Sequence, residues 1–326
     1  MTVIDEISEK VSIITPVYNG EFFIDKCYEC VAAQTYPNIE WVVINDGSQD
    51  KSLSKLETLA KSYSNIHIVD QKNAGAAEAR RAGALKAQGE FIVYLDIDDT
   101  ISENAIELAL EKFTKNIDVV LFTQVKVGGG ESVPFNMFTD SWPQSGEDVF
   151  KSCIDGWGAH SFGVYRKSIF LSAYSFLDSF EDMSKTYKDE LLSRIIFTQS
   201  RMIDYCKGTY FYDLNDESVS KKFNPDYFLI ANNVHALDKY LLSQNKNISI
   251  ERMYSRLFFD LLGRYLKWRK QLTNKSDWQN ALKTLAKNIS ITKDITNSVR
   301  KSEFKKIPPR ILFLSVYKTA SLVRRS

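Results

Sequence analysis

The chain has 326 residues, 44% of them hydrophobic and 25% charged, a composition that excludes wholesale disorder. Its net charge of +1 conceals a division: residues 221–326 hold 22 lysines and arginines against 7 aspartates and glutamates, while residues 1–220 hold 20 against 34. No stretch reaches the roughly 18–20 apolar residues of a membrane span, and the acidic start MTVIDEISEK lacks the apolar core of a secretory signal. The expectation is a cytoplasmic protein, soluble or peripheral on the inner face of the membrane.

In chain order, Val11–Pro16 is a short β-branched run that reads as a buried strand. Phe22–Gln34 has helical spacing and stops at Tyr36-Pro37-Asn38. Cys27 and Cys30 fall in it; without a second cysteine pair they read as small, reduced side chains rather than a zinc site. Glu40–Asn45 is a second strand, Lys51–Ser64 a helix, Ile66–Asp70 a third strand, Ala74–Ala87 a helix and Glu90–Leu95 a fourth strand. Ser102–Phe113 follows as a helix with Ser102 as its N-cap, and Val119–Val127 as a further strand. Residues 131–220 give no clear period, and from Pro225 the pattern is helical, most plainly over Arg252–Lys270.

Alternating apolar strands and helices imply an α/β domain whose mostly parallel sheet is covered on both faces. Such sheets bind ligands beyond the carboxyl ends of their strands. The polar residues there are Tyr18-Asn19, Asp46 and the cluster Asp96-Ile97-Asp98-Asp99. Carboxylates this crowded repel one another, and a hard divalent cation shared with a nucleotide diphosphate relieves the repulsion. In an extended segment Asp96 and Asp98 point to one side, while Asp99 is placed to hold the next loop or helix start. Taken alone, the cluster also fits a solvated turn whose aspartates cap a helix.

Five segments in fixed order carry a more specific signal: Val11–Asn19 (VSIITPVYN), Gln34–Glu40 (QTYPNIE), Asn45–Asp50 (NDGSQD), Asn73-Ala74-Gly75 through Ala79-Arg80, and Gly89-Glu90-Phe91 through Asp99. Together they resemble the family-2 glycosyltransferases of the GT-A fold, in particular the bacterial branch that builds capsule, O-antigen and related polysaccharides. The resemblance is dense over about residues 10–115 and thinner to about 225. It implies a GT-A nucleotide-sugar-binding domain over residues 1–222, with its donor half at 1–115 and acceptor half at 116–222, and a basic helical region at 223–326.

Position by position, the resemblance implies that Pro16 and Tyr18 shape and stack the uracil pocket, that Thr15 belongs to the nucleotide-sugar site, and that Asp46 accepts a hydrogen bond from the base. Asn73, Gly75, Arg80 and Ile97 would line the nucleotide-sugar site, Asp96 would lie near the ribose, and Asp98 with Asp96 would hold Mn²⁺ or Mg²⁺. The catalytic base of an inverting transfer would be Asp189, with Glu190 as the alternative. Gly156-Trp157-Gly158 and Tyr165-Arg166 resemble the acceptor side, where Trp157 would stack on a sugar. Asp213 stands where the family commonly has an arginine, so Ser218 and Lys221, or Ser220 and Lys222, would serve the diphosphate. Asn45 and Arg81 also depart from the family, where aspartate and asparagine are usual.

Two other readings compete with this one. Asp96–Thr100 resembles the haloacid-dehalogenase phosphatase motif, but that motif opens its domain, whereas three strand-helix units precede it here. A non-catalytic scaffold of the same fold would not need Asp96, Asp98 and Asp189 together. No G-x-G-x-x-G marks a dinucleotide oxidoreductase. His67 reads as structural; His160 and His235 remain unassigned, either being a conceivable third metal ligand. The basic C-terminal region suits an anionic membrane surface near a lipid-linked acceptor, packing on the acidic domain, or a homo-oligomer. No nucleic-acid recognition motif is present.

Overall fold

Val11–Val17 (β1), Ile39–Asp46 (β2), Ile66–Gln71 (β3) and Phe91–Tyr94 (β4) pair in parallel in the order β3-β2-β1-β4. Helices Ile24–Ala32 (α1), Ser52–Ser62 (α2) and Ala76–Lys86 (α3) join them. This comes from a computed structural model that describes residues 9–178, 188–214 and 223–289. Within those, 9–178 with 188–214 form one unit and 223–289 another.

Central strands β1, β2 and β4 are buried on both faces, as parallel strands covered by helices are, and β2 is buried along nearly its whole length; β3 is the half-buried edge. The chain runs from β1 outward to β3 and then returns to β4 on the other side of β1. That reversal puts a crevice beyond the carboxyl ends of β1 and β4, where Asp96 follows β4. The opposite ends are tied by Glu40, 1% exposed, whose Oε1 accepts hydrogen bonds from Ser12 (2.6 Å) and the Gln88 amide (2.5 Å). His67 on β3 lies 3.3 Å from the same carboxylate, the structural place expected for it.

Past β4 come Thr100–Ile101 (β5), Ala105–Leu110 (α4), Ile117–Gly128 (β6), Glu131–Pro134 (β7), Gln144–Ser145 (β8), Gly146–Ser152 (α5), Gly163–Arg166 (β9), Lys167–Leu177 (α6), Lys188–Gln199 (α7) and Met202–Asp213 (β10). The sheet order is β3-β2-β1-β4-β9-β6-β10-β5, with β9 antiparallel to both neighbours and β10 parallel to β6. The sheet is thus mostly parallel, with its reversal at β9. Ser102 does not cap α4, whose N-cap is Asn104; its hydroxyl instead accepts from the Thr209 amide (3.0 Å) and holds β5 against β10. The end of α7 is pinned to β6 by Asp118, 1% exposed, which accepts from the Arg201 amide (2.7 Å) and Nε (3.0 Å).

The second unit has a 3-10 turn, Tyr227–Leu229, and helices Ile230–Ser243 (α8), Glu251–Trp268 (α9) and Lys275–Lys287 (α10). Trp278 is fully buried and donates to the Pro225 carbonyl (2.7 Å), and Arg264 lies 4.1 Å over the Tyr227 ring. No helix among the described residues is long and apolar enough to cross a membrane.

Helix α3, which carries Arg80, sits close to the sheet because Gly83 has no side chain. A Cβ there would lie 2.5 Å from an Ile14 methyl and 2.6 Å from an Ile44 methyl. Gly83→Val should therefore lower stability by about 1–3 kcal/mol in urea unfolding; an unchanged midpoint would show that the helix is not seated this tightly.

Candidate active site

Three loops converge where β1, β2 and β3 end. Asn19 takes a positive φ of 52° and its Oδ1 accepts from the Gln49 amide (2.8 Å). The Asn19 and Gly20 amides donate to the Ser48 and Ser52 hydroxyls, each at 3.0 Å. These bonds hold Tyr18, 54% exposed, and half-buried Pro16 at the mouth. Thr15 behaves differently: strand alternation turns its side chain into the core, where Oγ1 accepts from the Trp41 indole N–H (2.9 Å). It is fully buried, so only its backbone faces the mouth.

Asp46, 3% exposed, organises the next loop. Its Oδ1 accepts from Gln71 Nε2 (2.8 Å) and the Ala74 amide (2.9 Å), and Oδ2 from the Gly75 amide (2.9 Å). One lone-pair direction on Oδ2 remains for a ligand donor. Gly47, at φ 72°, lets this loop approach: a Cβ there would meet the Asn73 nitrogen at 2.7 Å. Asn73 is exposed on the loop, and Gly75 (φ 91°) starts α3. Asn45 departs from the family for a local reason: its Nδ2 donates to Asp70 (2.6 Å), where a second aspartate would be repelled.

Arg80 turns inward and is 7% exposed. Its Nη2 donates to Asp96 Oδ1 (2.6 Å), and its guanidinium lies 5.0 Å over the Tyr94 ring. Burial opposes the charge, but Asp96 and then Asp189 outweigh it and raise the pKa. Arg80, Tyr94, Asp96, Asp189, Ser193 and Tyr212 line one cavity of about 150 Å³, so the metal-motif aspartate and the expected base face the same space. Arg80 Nε has no hydrogen-bond partner there. Arg81 points elsewhere, pairing with Asp178 (2.5 Å) beyond α6, and Lys188 pairs with Glu78 (2.9 Å); both tie α3 to its neighbours rather than to a nucleotide.

In the acidic cluster, Asp99 is 2% exposed and accepts from Tyr210 Oη (2.6 Å) and the Asp213 amide (2.8 Å). It therefore anchors β10, not a helix start. Burial and then Asp96 push its carboxyl up, as they do for half-buried Asp98. Ile97 packs under Gly20 and on the core, offering the site its backbone. No group of three or more His, Cys, Asp or Glu among the described residues makes a closed cage. Asp98 and the Asp96 oxygen that Arg80 leaves offer carboxylate oxygens of the kind that hard cations take. His160 is buried beside Phe135 and Phe162, where desolvation pushes it down to about 3, and His235 contacts Tyr254 in the second unit.

On the acceptor side, Asp189 and Glu190 separate. Asp189 faces the cavity, whereas Glu190 pairs with Arg194 (3.3 Å), whose guanidinium lies 4.0 Å over Trp157. Arg194 was missed in the sequence; its only trace there is the four-residue spacing from Glu190. Tyr165 is fully buried, and Arg166 donates to the Ile117 (3.0 Å) and Thr114 (3.0 Å) carbonyls, so both are structural rather than acceptor-binding. Ser218, Ser220, Lys221 and Lys222 lie outside the described residues.

Asp46→Asn would turn one accepting oxygen into a donor facing N–H groups. Exchange of the Ala74 and Gly75 amides should accelerate at least about tenfold, the equivalent of one charge-assisted bond; unchanged protection would show that the loop holds itself.

Residues 12–171 match the family model described as Glycosyl transferase family 2. The glycosyltransferase GlyA of Streptococcus pneumoniae is 26% identical over 260 residues, 72% of this chain but 36% of GlyA, so the chain spans about a third of that relative. The putative glycosyltransferase EpsH of Bacillus subtilis is 26% identical over 244 residues, 73% of this chain and 70% of EpsH. Among solved structures, residues 1–349 of Staphylococcus aureus TarS, crystallised with UDP-GlcNAc, superpose with a TM-score of 0.63 at 20% identity, covering 86% of this chain and 82% of that one. That likeness establishes the GT-A fold, and over residues 12–171 the chain carries a glycosyl transferase family 2 domain.

Proposed function

We propose that the chain transfers a hexosyl or N-acetylhexosaminyl group from a UDP-sugar to a saccharide hydroxyl, with inversion, in the synthesis of a bacterial surface polysaccharide. The observation that carries this is the shared cavity: Asp189 faces the Arg80–Asp96 pair at the switch point of the sheet. Its relatives' names support a glycosyltransferase, and the complex of TarS with UDP-GlcNAc supports the donor class.

In this reading the uracil lies between Pro16 and Tyr18, with Asp46 Oδ2 accepting from the base. Asn73 and Gly75 border the nucleotide, and Asp96 meets the ribose. Asp98 and Asp96 would hold Mg²⁺ or Mn²⁺, which when bound supplies Lewis-acid neutralisation of the diphosphate. The acceptor oxygen attacks the anomeric carbon as the bond to the diphosphate breaks, and Asp189 takes the hydroxyl proton. Such a positioned base is worth about 10²–10⁴ in rate. Trp157 would stack on the acceptor, and Ser218 and Lys221 would meet the diphosphate. A lipid-linked acceptor is consistent with the exposed cations Lys267, Arg269, Lys270 and Lys275 of the second unit, which suit an anionic membrane surface.

A panel of UDP-sugars with Mg²⁺ or Mn²⁺, read as UDP release, tests the reading. Asp98→Ala should abolish the divalent-dependent part of the release, and near-normal turnover would remove the metal role. Asp189→Asn should retain UDP binding while slowing transfer by about 10²–10⁴; an unchanged rate would move the base to Glu190 or elsewhere.

A further inference from the structure

The cavity that Arg80 shares with Asp189 is graded from polar to apolar. Asp189 is exposed, and Asp96 and Tyr212 are half-buried, so these residues mark its mouth. Phe170 is fully buried, and Leu192, Ser193 and Ile196 are nearly so, which puts them at the inner end. Asp189, Leu192, Ser193 and Ile196 follow one another at i, i+3, i+4 and i+7 and form one stripe of α7. The candidate base and the inner wall thus belong to one helix.

Most hydrogen-bonding groups near the inner end are already committed. The Tyr94 hydroxyl donates to the Ser161 carbonyl, which also accepts from Tyr165. The Ser193 hydroxyl donates back to the Asp189 carbonyl (2.8 Å) and so offers the cavity no proton. Arg80 is the exception. Among the described residues its guanidinium donates only through Nη2, to Asp96, and its Nε–H has no acceptor. A buried cation with N–H groups to spare favours a ligand that brings an acceptor oxygen.

A sugar held at the mouth, with its anomeric carbon before Asp189, sends one ring substituent toward the inner end. A hydroxyl there would lie against Phe170, Leu192 and Ile196, and the Ser161 carbonyl has no lone pair left for its proton. An acetamido group suits each part of the cavity. Its N–H meets the carboxylates of the mouth, its carbonyl gives Arg80 an acceptor, and its methyl lies on the apolar side chains.

We infer that this cavity selects a donor whose sugar carries an N-acyl group, an N-acetylhexosamine in preference to a plain hexose. Phe170, Leu192 and Ile196 are the specificity-determining wall, and Arg80 is the partner of the acyl oxygen. The inference rests on the UDP-sugar reading of the cavity and narrows it to one donor class.

Isothermal titration of the full chain with Mg²⁺ and without acceptor tests it. The ligands are UDP, UDP-glucose, UDP-galactose, UDP-6-deoxyglucose, UDP-N-acetylglucosamine and UDP-N-acetylgalactosamine. The better N-acetylated donor should bind at least about tenfold more tightly than its hexose counterpart, the discrimination that one small group gives in an apolar pocket. Ile196→Phe, which fills the inner end, should bring that ratio below about threefold while UDP binds as it does to the parent. Ile196→Ala, which widens it, should favour UDP-N-propionylglucosamine over the acetylated donor by about fourfold relative to the parent, the effect of one buried methylene. This second variant decides if Ile196→Phe does not hold UDP. The inference is overturned if the parent binds UDP but takes hexose and N-acetylhexosamine donors alike, or if UDP-6-deoxyglucose matches the N-acetylated donors. It is also overturned if neither variant moves the ratio. In each of those cases the UDP-sugar reading survives, whereas a parent that does not bind UDP removes both.

Discussion

The buried guanidinium of Arg80 holds the cavity side of the candidate site together. Arg80 is almost enclosed, bonded to Asp96 at 2.6 Å and influenced by Asp189, with the Tyr94 ring against its face. Removing one member of such a group would leave uncompensated charge in a poorly solvated place, at a cost of about 3–5 kcal/mol. The arrangement therefore constrains three elements at once: α3, which supplies the arginine, the tip of β4, and the first turn of α7. Gly83 permits it by letting α3 lie directly on Ile14 and Ile44.

The same pair divides labour among the aspartates. Asp96 spends one oxygen on Arg80, Asp99 spends both on Tyr210 and the β10 backbone, and Asp98 is left half-buried beside them. A cluster that looks uniform in sequence is thus three different environments.

Departures from the family pattern follow similar logic. Asn45 avoids a like-charge contact with Asp70, and Arg81 and Lys188 bind α3 to α6 and α7 through Asp178 and Glu78. Each has a structural partner in the fold. Asp46 also has a structural duty, shaping the 71–75 loop with three accepted bonds.

The sequence by itself determined the four parallel strands, their helices and the loops that meet at their carboxyl ends, because apolar periodicity and turn residues are local signals. It also singled out Asp46, Arg80, Asp96, Asp98 and Asp189. Side-chain direction was beyond it. Thr15 faces the core, Arg166 serves the β6 end, Ser102 joins β10, and Arg194 covers Trp157, all through partners far away along the chain. Only the tertiary structure could decide that Asp189 shares a cavity with Arg80 while Glu190 does not, since one residue along a helix rotates a carboxylate by about 100° and its surroundings come from strands and helices folded beside it.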